Sequence, residues 1–165
     1  MIEHLFFWGH QPERDGGVGK GCLSQWWPAP FEVDGRTFAT AEHYMMWRKA
    51  ALFDDTATAD RVLAVEDPKA AKDLGRGVVG FDSAVWERER YDVVVAGNLA
   101  KFRAHSDLRG FLLSTGHRWL AEASPLDPVW GIGLAADHPD AAHFERWPGL
   151  NLLGKALMDV RARLR

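Results

Sequence analysis

Apolar residues recur every three or four positions over most of this chain from position 40 onward, whereas alternation with polar residues is confined to short runs near its start. The first pattern predicts α-helices and the second predicts β-strands. After an initial helix that begins near position 40, five further helices are predicted from Asp, Ser or Thr caps, glycine stops and the spacing itself. These helices span residues 56–65, 67–75, 82–104, 106–116 and 150–164.

The initial helix follows a predicted β-hairpin and carries two charged residues of interest. Asp34-Gly35 lies between two short alternating runs, and glycine tolerates the positive φ of a tight turn. Thr40 then supplies the cap of a helix that is apolar on nearly all sides, which is typical of a buried element. Glu42 and Lys49 share nearly one face of it, about 10 Å apart along the axis. Burying both charges is costly unless a ligand or a structural ion pair compensates them.

The remaining segments predict two strands and two loops. Residues 5–8 are a short strand candidate, and residues 117–123 form a strand or a helical turn. The glycine-rich stretch 9–22 is a loop, and the spacing of its glycines does not fit a dinucleotide-binding fingerprint. Segment 124–149 is long for a compact domain, and loops of that length tend to be functional. Together the elements predict a mainly α, multihelical fold in a single domain, residues 1–165, with a small antiparallel β element.

Composition narrows the class of protein. The chain has 165 residues, 47% of them hydrophobic, and a net charge of −3, so any contact with nucleic acid would have to be local. Cys22 is the only cysteine, which excludes an internal disulfide and a multi-cysteine metal site, and the seven histidines show no metal-ligand spacing. We therefore expect no metal and no cofactor. The start of the chain lacks a signal peptide and no run has the length of a membrane span, so we expect a cytoplasmic protein.

A series of motifs extends, in order, along nearly the whole chain. The motifs are Phe7-Trp8, Leu23-Ser24-Gln25-Trp26, Val33-Asp34-Gly35, Thr40-Ala41-Glu42-His43-Tyr44 with Lys49, Trp86, Asn98-Leu99-Ala100-Lys101-Phe102, Asp107-Leu108-Arg109, Leu112-Leu113-Ser114-Thr115, Asp127-Pro128-Val129-Trp130-Gly131 and Gly149-Leu150-Asn151-Leu152-Leu153-Gly154-Lys155-Ala156-Leu157-Met158. This series resembles the YbiA-like family, also called NADAR, and its Glu-His-Tyr and Asp-x-x-Trp-Gly segments are the most specific.

This resemblance implies a mainly helical fold and N-glycosidase activity. Members of the family are associated with hydrolysis of ribosylamine intermediates of riboflavin biosynthesis, and others remove ADP-ribose from guanine bases. The implied partner is therefore a small ribosylamine phosphate or an ADP-ribosylated guanine. Three departures bear on the substrate: Gln25-Trp26 replaces the usual Asn-Phe, Met46 replaces a frequent Gln, and segment 132–148 is longer.

Carried over by position, the resemblance implies a set of site residues. The catalytic candidates are Glu42, Asp127 and Lys49. The substrate-binding candidates are Trp86, Trp130, Asn151, Ser24 and Gly131.

Several candidates also have a purely structural explanation. Glu42 would pair with a buried cation, and Lys49 would extend along the surface from the helix end. Trp86 would fill the core, Asp127 would cap a turn, and Asn151 would cap the last helix. These explanations stay open beside the functional ones, because pairing or capping is compatible with a role in a site.

The chemistry of N-glycosidic cleavage suits these residue types. The breaking bond leaves positive charge on C1′ and the ring oxygen, which a carboxylate stabilises. Glu42 or Asp127 would do this, and the other would activate water or protonate the departing nitrogen. Lys49 would either hold a phosphate or a hydroxyl group, or attack C1′ of the opened sugar to form a Schiff base. The competing hypothesis is a non-catalytic module that binds NAD, ADP-ribose or a related nucleotide.

Overall fold

The computed structural model describes residues 1–165 and contains six α-helices and four β-strands. The mainly α class predicted from the sequence is confirmed, and each predicted helix is present within two residues of its expected ends. The helices are α1 Ala41–Leu52, α2 Thr56–Ala64, α3 Pro68–Arg76, α4 Ser83–Ala104, α5 Ser106–Ser114 and α6 Leu152–Arg163, and the strands are β1 His4–Phe7, β2 Phe31–Val33, β3 Arg36–Phe38 and β4 Trp119–Glu122.

The chain divides into two compact units, which are described separately. Unit 1 consists of Met1–Ser24 and Ser106–Arg165, and unit 2 consists of Gln25–His105. The single domain expected for residues 1–165 therefore stays a prediction. No helix in either unit combines the length and apolar character needed to cross a membrane.

Unit 2 is built around α1. The predicted antiparallel hairpin precedes it, with β2 and β3 paired from Phe31↔Phe38 onward. Asp34 and Gly35 have φ angles of 50° and 77°, which are the positive values that a tight hairpin turn requires. α1 then packs against α2, α3 and α4. Its first six residues are buried as predicted, but its last two are exposed, so the expectation of burial on all sides is wrong for the final turn.

The helices of unit 2 begin at the caps that the sequence indicates. The Thr40 hydroxyl accepts a hydrogen bond from the His43 N–H at 3.3 Å. Asp55, Asp67 and Asp82 cap α2, α3 and α4 in the same way, each accepting from a backbone N–H in the first turn. Such caps satisfy donors that a helix start leaves unpaired. They explain why the helix starts were predictable from local sequence.

Unit 1 contains a sheet that the sequence did not predict. β1 and β4 pair in parallel, from His4↔Trp119 to Phe7↔Glu122, so residues 117–123 contain a strand rather than a helical turn. Trp8 lies outside β1, although residues 5–8 were predicted as the strand. α6 packs against β4. A small core lies beside the sheet, formed by Ala121, Ala123, Ile132 and Ala141.

Segment 124–149 of unit 1 has little regular secondary structure but is extensively bonded. Its beginning pairs with the segment that leads into α6 through a series of backbone hydrogen bonds of 2.8–3.2 Å. The donors are the N–H groups of Gly149, Leu150, Asn151, Leu152 and Leu153, and the acceptors are the carbonyls of Ile132, Pro128, Gly131, Val129 and Trp130. The Asp-x-x-Trp-Gly motif is therefore joined directly to the Gly-Leu-Asn-Leu-Leu motif.

Candidate functional site

Glu42 and Lys49, both on α1, are the two charged site candidates in unit 2. Only 4% of Glu42 is exposed, and Lys49 is half-buried. Burial lowers the pKa of the Lys49 amine, the charge of Glu42 acts in the opposite direction, and the Arg76 guanidinium lowers it further. The net effect is a pKa below the ordinary lysine value, since desolvation is the largest influence. A buried carboxylate and an amine of lowered pKa therefore interact on one helix.

Two aromatic rings lie close to the Lys49 amine. Its Nζ atom lies 4.6 Å from the ring centroid of Phe81 and 5.8 Å from that of Trp86. Both distances are within the range of a cation–π contact. Trp86 was expected from the sequence, whereas Phe81 was not. The signal that could have found Phe81 is a large aromatic residue in a glycine-containing turn, directly before the Asp82 cap.

The two rings differ in what they offer a ligand. Trp86 is 9% exposed and is largely part of the protein core. Phe81 is 46% exposed although it contacts Lys49. The core explanation of Trp86 is therefore supported, and its predicted contact with substrate stays a prediction.

His43, next to Glu42, is a structural residue. Its Nδ1 lies 2.8 Å from the Thr40 hydroxyl, and its Nε2 lies 2.9 Å from the Val65 carbonyl oxygen. Because the carbonyl can only accept, Nε2 carries the proton and Nδ1 accepts from the hydroxyl. Burial lowers the pKa of His43 below its ordinary value. The neutral ring thus joins the start of α1 to the segment after α2.

Two of the departures from the family pattern are accommodated in unit 2. Gln25 accepts through Oε1 from the Asn98 amide at 2.7 Å, and its carbonyl accepts from the Glu42 N–H at 3.0 Å. Met46 packs against Gly75 so closely that a Cβ at Gly75 would lie 1.9 Å from the methionine sulfur. These contacts position the first turn of α1 and its approach to α3.

Asp127 in unit 1 caps a turn. Its Oδ1 accepts from the N–H groups of both Val129 and Trp130 at 2.9 Å. The structural explanation of Asp127 is therefore correct, and Oδ2 takes no part in these two bonds. Trp130 is partly buried, and its carbonyl accepts from the Leu153 N–H.

Gly131 and Asn151 are tightly enclosed in unit 1. A Cβ at Gly131 would lie 2.9 Å from the carbonyl oxygens of Asp127 and Glu122, so only glycine fits. The Asn151 side chain does not cap α6, so that explanation is wrong. It accepts from the Glu122 N–H at 3.1 Å and donates to the Leu120 carbonyl at 3.0 Å. Asn151 thereby pairs with the edge of β4 that faces away from β1.

The structure thus divides the predicted site residues into two groups. Glu42, Lys49 and Trp86 lie in unit 2, where the lysine contacts the tryptophan and is coupled to the carboxylate. The second group lies in unit 1 and consists of Ser24, Asp127, Trp130, Gly131 and Asn151. Within it, Ser24 is half-buried at the end of a short 3-10 turn, and the other four belong to the bonded segment before α6.

The residue types of the first group are ones that hydrolysis of a glycosidic bond can use. A buried carboxylate stabilises a neighbouring positive charge more strongly than an exposed one, because water screens it less. An amine with a lowered pKa has a larger unprotonated fraction at neutral pH and so is a better nucleophile. Phe81 adds an apolar surface for a planar group.

Comparison with known proteins identifies the family of the chain. The NADAR domain model matches residues 6–165. An N-glycosidase of Acanthamoeba polyphaga mimivirus is 38% identical over 96% of this chain and 95% of its own length. The N-glycosidase YbiA of Escherichia coli is 32% identical over 87% of this chain and 81% of its own length. The NMR structure of Escherichia coli YbiA superimposes with a TM-score of 0.78 and 28% identity, covering 99% of this chain and 86% of that one. The chain therefore belongs to the NADAR domain family.

Proposed function

We propose that this protein is an N-glycosidase that hydrolyses the C1′–N bond of a phosphorylated ribosylamine or of an ADP-ribosylated guanine base. The observation that carries the proposal is the coupled pair on α1: Glu42, 4% exposed, and Lys49, whose pKa is lowered by burial. Relatives that match most of the chain are named N-glycosidases, which supports the reaction class. The choice of ribosylamine substrate follows from the family resemblance.

Glu42 acts as the carboxylate that stabilises the reacting sugar. Cleavage of the C1′–N bond develops positive charge on C1′ and the ring oxygen, and a buried carboxylate is preorganised to oppose it. Overall, water supplies the proton that the departing base takes and the hydroxyl group that bonds to C1′. The resemblance implies a catalytic role for Asp127 as well, and its Oδ2 is outside the turn that Oδ1 holds.

Lys49 has two roles under this proposal, and they differ in bonding. As a nucleophile, its neutral amine adds to C1′ of the opened sugar, the base leaves with the electrons of the C1′–N bond, and water hydrolyses the resulting imine. As a binding group, its ammonium holds a phosphate or a ribose hydroxyl. Burial of the amine favours the nucleophile, because desolvation raises its unprotonated fraction.

The proposal is tested by incubating purified protein with a ribosylaminopyrimidine phosphate and with ADP-ribosylated guanine DNA, and measuring free base by chromatography. Glu42→Gln should lower turnover about a thousandfold or more while the circular dichroism spectrum stays unchanged. Glu87→Gln is the matched control, since Glu87 is an exposed carboxylate on α4. Near-normal base release by folded Glu42→Gln protein would contradict the assignment, and saturable binding without any product would indicate a binding module instead.

Borohydride separates the two roles of Lys49. It reduces an imine to a stable secondary amine, so a nucleophilic Lys49 predicts a mass increase of the wild-type protein equal to the sugar phosphate less one oxygen atom. Lys49→Met should abolish this product, whereas Lys69→Met, which changes an exposed lysine, should not. Turnover without any trapped product, together with a raised KM for Lys49→Met, would assign the binding role.

A further inference from the structure

Phe81 presents an aromatic surface beside Lys49 that the core does not use. Its ring centroid lies 4.6 Å from the Lys49 Nζ, closer than the 5.8 Å of Trp86. Yet 46% of Phe81 remains exposed, against 9% of Trp86. An exposed phenyl ring beside an ionisable amine offers an apolar surface to a ligand that the amine also contacts.

The turn that carries Phe81 is held in place on both sides. The Val79 N–H donates to Oδ2 of Asp55 at 2.9 Å, and the same carboxylate caps α2 through Oδ1. On the other side, Asp82 caps α4 by accepting from two backbone N–H groups. Gly80 supplies the positive φ of 79° that the turn needs. The backbone around Phe81 is therefore fixed by hydrogen bonds.

The ring itself is anchored without being covered. Phe53 contacts it edge-on with 5.4 Å between centroids. Val78, three residues earlier, packs with Ala50 and Ala59 in the small core beneath the turn. The anchoring uses part of the ring and leaves nearly half of the residue accessible. An accessible phenyl ring is suited to stacking on a planar heterocycle.

We propose that Phe81 is a specificity-determining residue that stacks on the purine or pyrimidine base of the substrate, next to the amine of Lys49. This inference rests on the proposed function for its place in the reaction, because the base is the leaving group of an N-glycosidase. The contact between Phe81 and a base does not depend on the proposed reaction, because it requires only the accessible ring beside Lys49. Trp86 then forms the wall behind Lys49 and does not itself stack on the base.

The experiment measures equilibrium binding of three probes to the wild-type protein and its variants: a free aminopyrimidine, guanine and ribose 5-phosphate. Phe81→Ala should weaken binding of the preferred base about tenfold, the range that loss of one stacking contact produces. Binding of ribose 5-phosphate, which has no base, should stay within about twofold. Phe81→Tyr should restore base binding, and Val79→Ala, which alters a 72% exposed residue of the same turn, should change neither.

Turnover of a ribosylaminopyrimidine phosphate provides the second readout. Phe81→Ala should raise KM with kcat nearly unchanged, whereas a merely structural role would lower kcat and weaken base and sugar phosphate equally. That equal loss, or an unchanged base affinity, or no measurable binding of either base to the wild-type protein, would overturn the inference. If the wild-type protein hydrolyses nothing but Phe81→Ala still loses base binding selectively, the proposed function fails and the base contact stands.

Discussion

Replacement of Asn151 should destabilise unit 1, because it removes hydrogen bonds to the edge of β4 that faces away from β1. The N–H groups of Trp119 and Ala123 donate towards β1, so the Leu120 carbonyl and the Glu122 N–H face the other way. The Asn151 amide bonds both, at 3.0 Å and 3.1 Å, in the place that a third strand would take. Asn151 is 1% exposed, so its side chain makes both bonds away from bulk water.

The size of the effect follows from two contributions. Loss of the side-chain amide in Asn151→Ala leaves two buried backbone groups without a partner, which costs about 2–4 kcal/mol together. Asn151 also has a φ of 53°, and moving alanine into this left-handed region costs about 1 kcal/mol more than asparagine or glycine. Asn151→Ala should therefore lower the free energy of unfolding by about 3–5 kcal/mol, and Asn151→Gly by about 1 kcal/mol less.

Urea unfolding followed by circular dichroism and tryptophan fluorescence measures both variants. A chain of this length should also lose about 6–20 °C in Tm for Asn151→Ala. Asn151→Asp is the matched control for the donor: it keeps the acceptor towards Glu122 but places an oxygen against the Leu120 carbonyl, so it should also destabilise. A change below about 1 kcal/mol in Asn151→Ala would refute the reasoning. Turnover of Asn151→Gly at a temperature where it is folded then tests the substrate contact that the resemblance implies.

Two further predictions concern one residue in each unit. Asp127→Asn should keep the turn, because an amide oxygen can still accept from Val129 and Trp130, but it should lose turnover if the carboxylate acts in catalysis. Asp127→Ala should lower Tm as well. Equal turnover in the wild-type protein and Asp127→Asn would remove Asp127 from the mechanism. Because the pKa of His43 is lower in the folded protein than in the unfolded chain, the unfolded chain binds the proton more readily than the folded protein. The contribution of His43 to stability is therefore present above about pH 6.5 and is lost as the pH falls through the folded pKa. His43→Gln should therefore lose less stability than wild type between pH 7.5 and pH 5 in urea titrations, and an identical loss in both would contradict this account.

Local sequence was sufficient for the helices and the hairpin. Thr40, Asp55, Asp67 and Asp82 each cap the helix that follows, and these bonds span only two or three residues. The hairpin turn likewise depends on a local pair with positive φ angles. Such features are predictable because the atoms that stabilise them are neighbours in the chain.

Pairings between distant segments were not predictable in this way. β1 and β4 are more than a hundred residues apart, and nothing in either strand indicates a parallel partner. The role of Asn151 was misjudged for the same reason: it precedes a helix, where asparagine commonly caps, but its amide bonds a strand about thirty residues earlier. Phe81 was missed because an aromatic residue in a turn has no periodic signal.

The candidate site shows the same division. The spacing of Glu42 and Lys49 on one face of a helix, the caps that begin that helix and the family to which the motifs belong are properties of the sequence, since they depend on residue order alone. Only the tertiary structure decided that Arg76 and burial together lower the pKa of Lys49, and that Phe81 rather than Trp86 keeps an exposed ring beside it. Desolvation and ring contacts depend on which distant segments surround a side chain, and the packing of α1 against its neighbouring helices determines that environment.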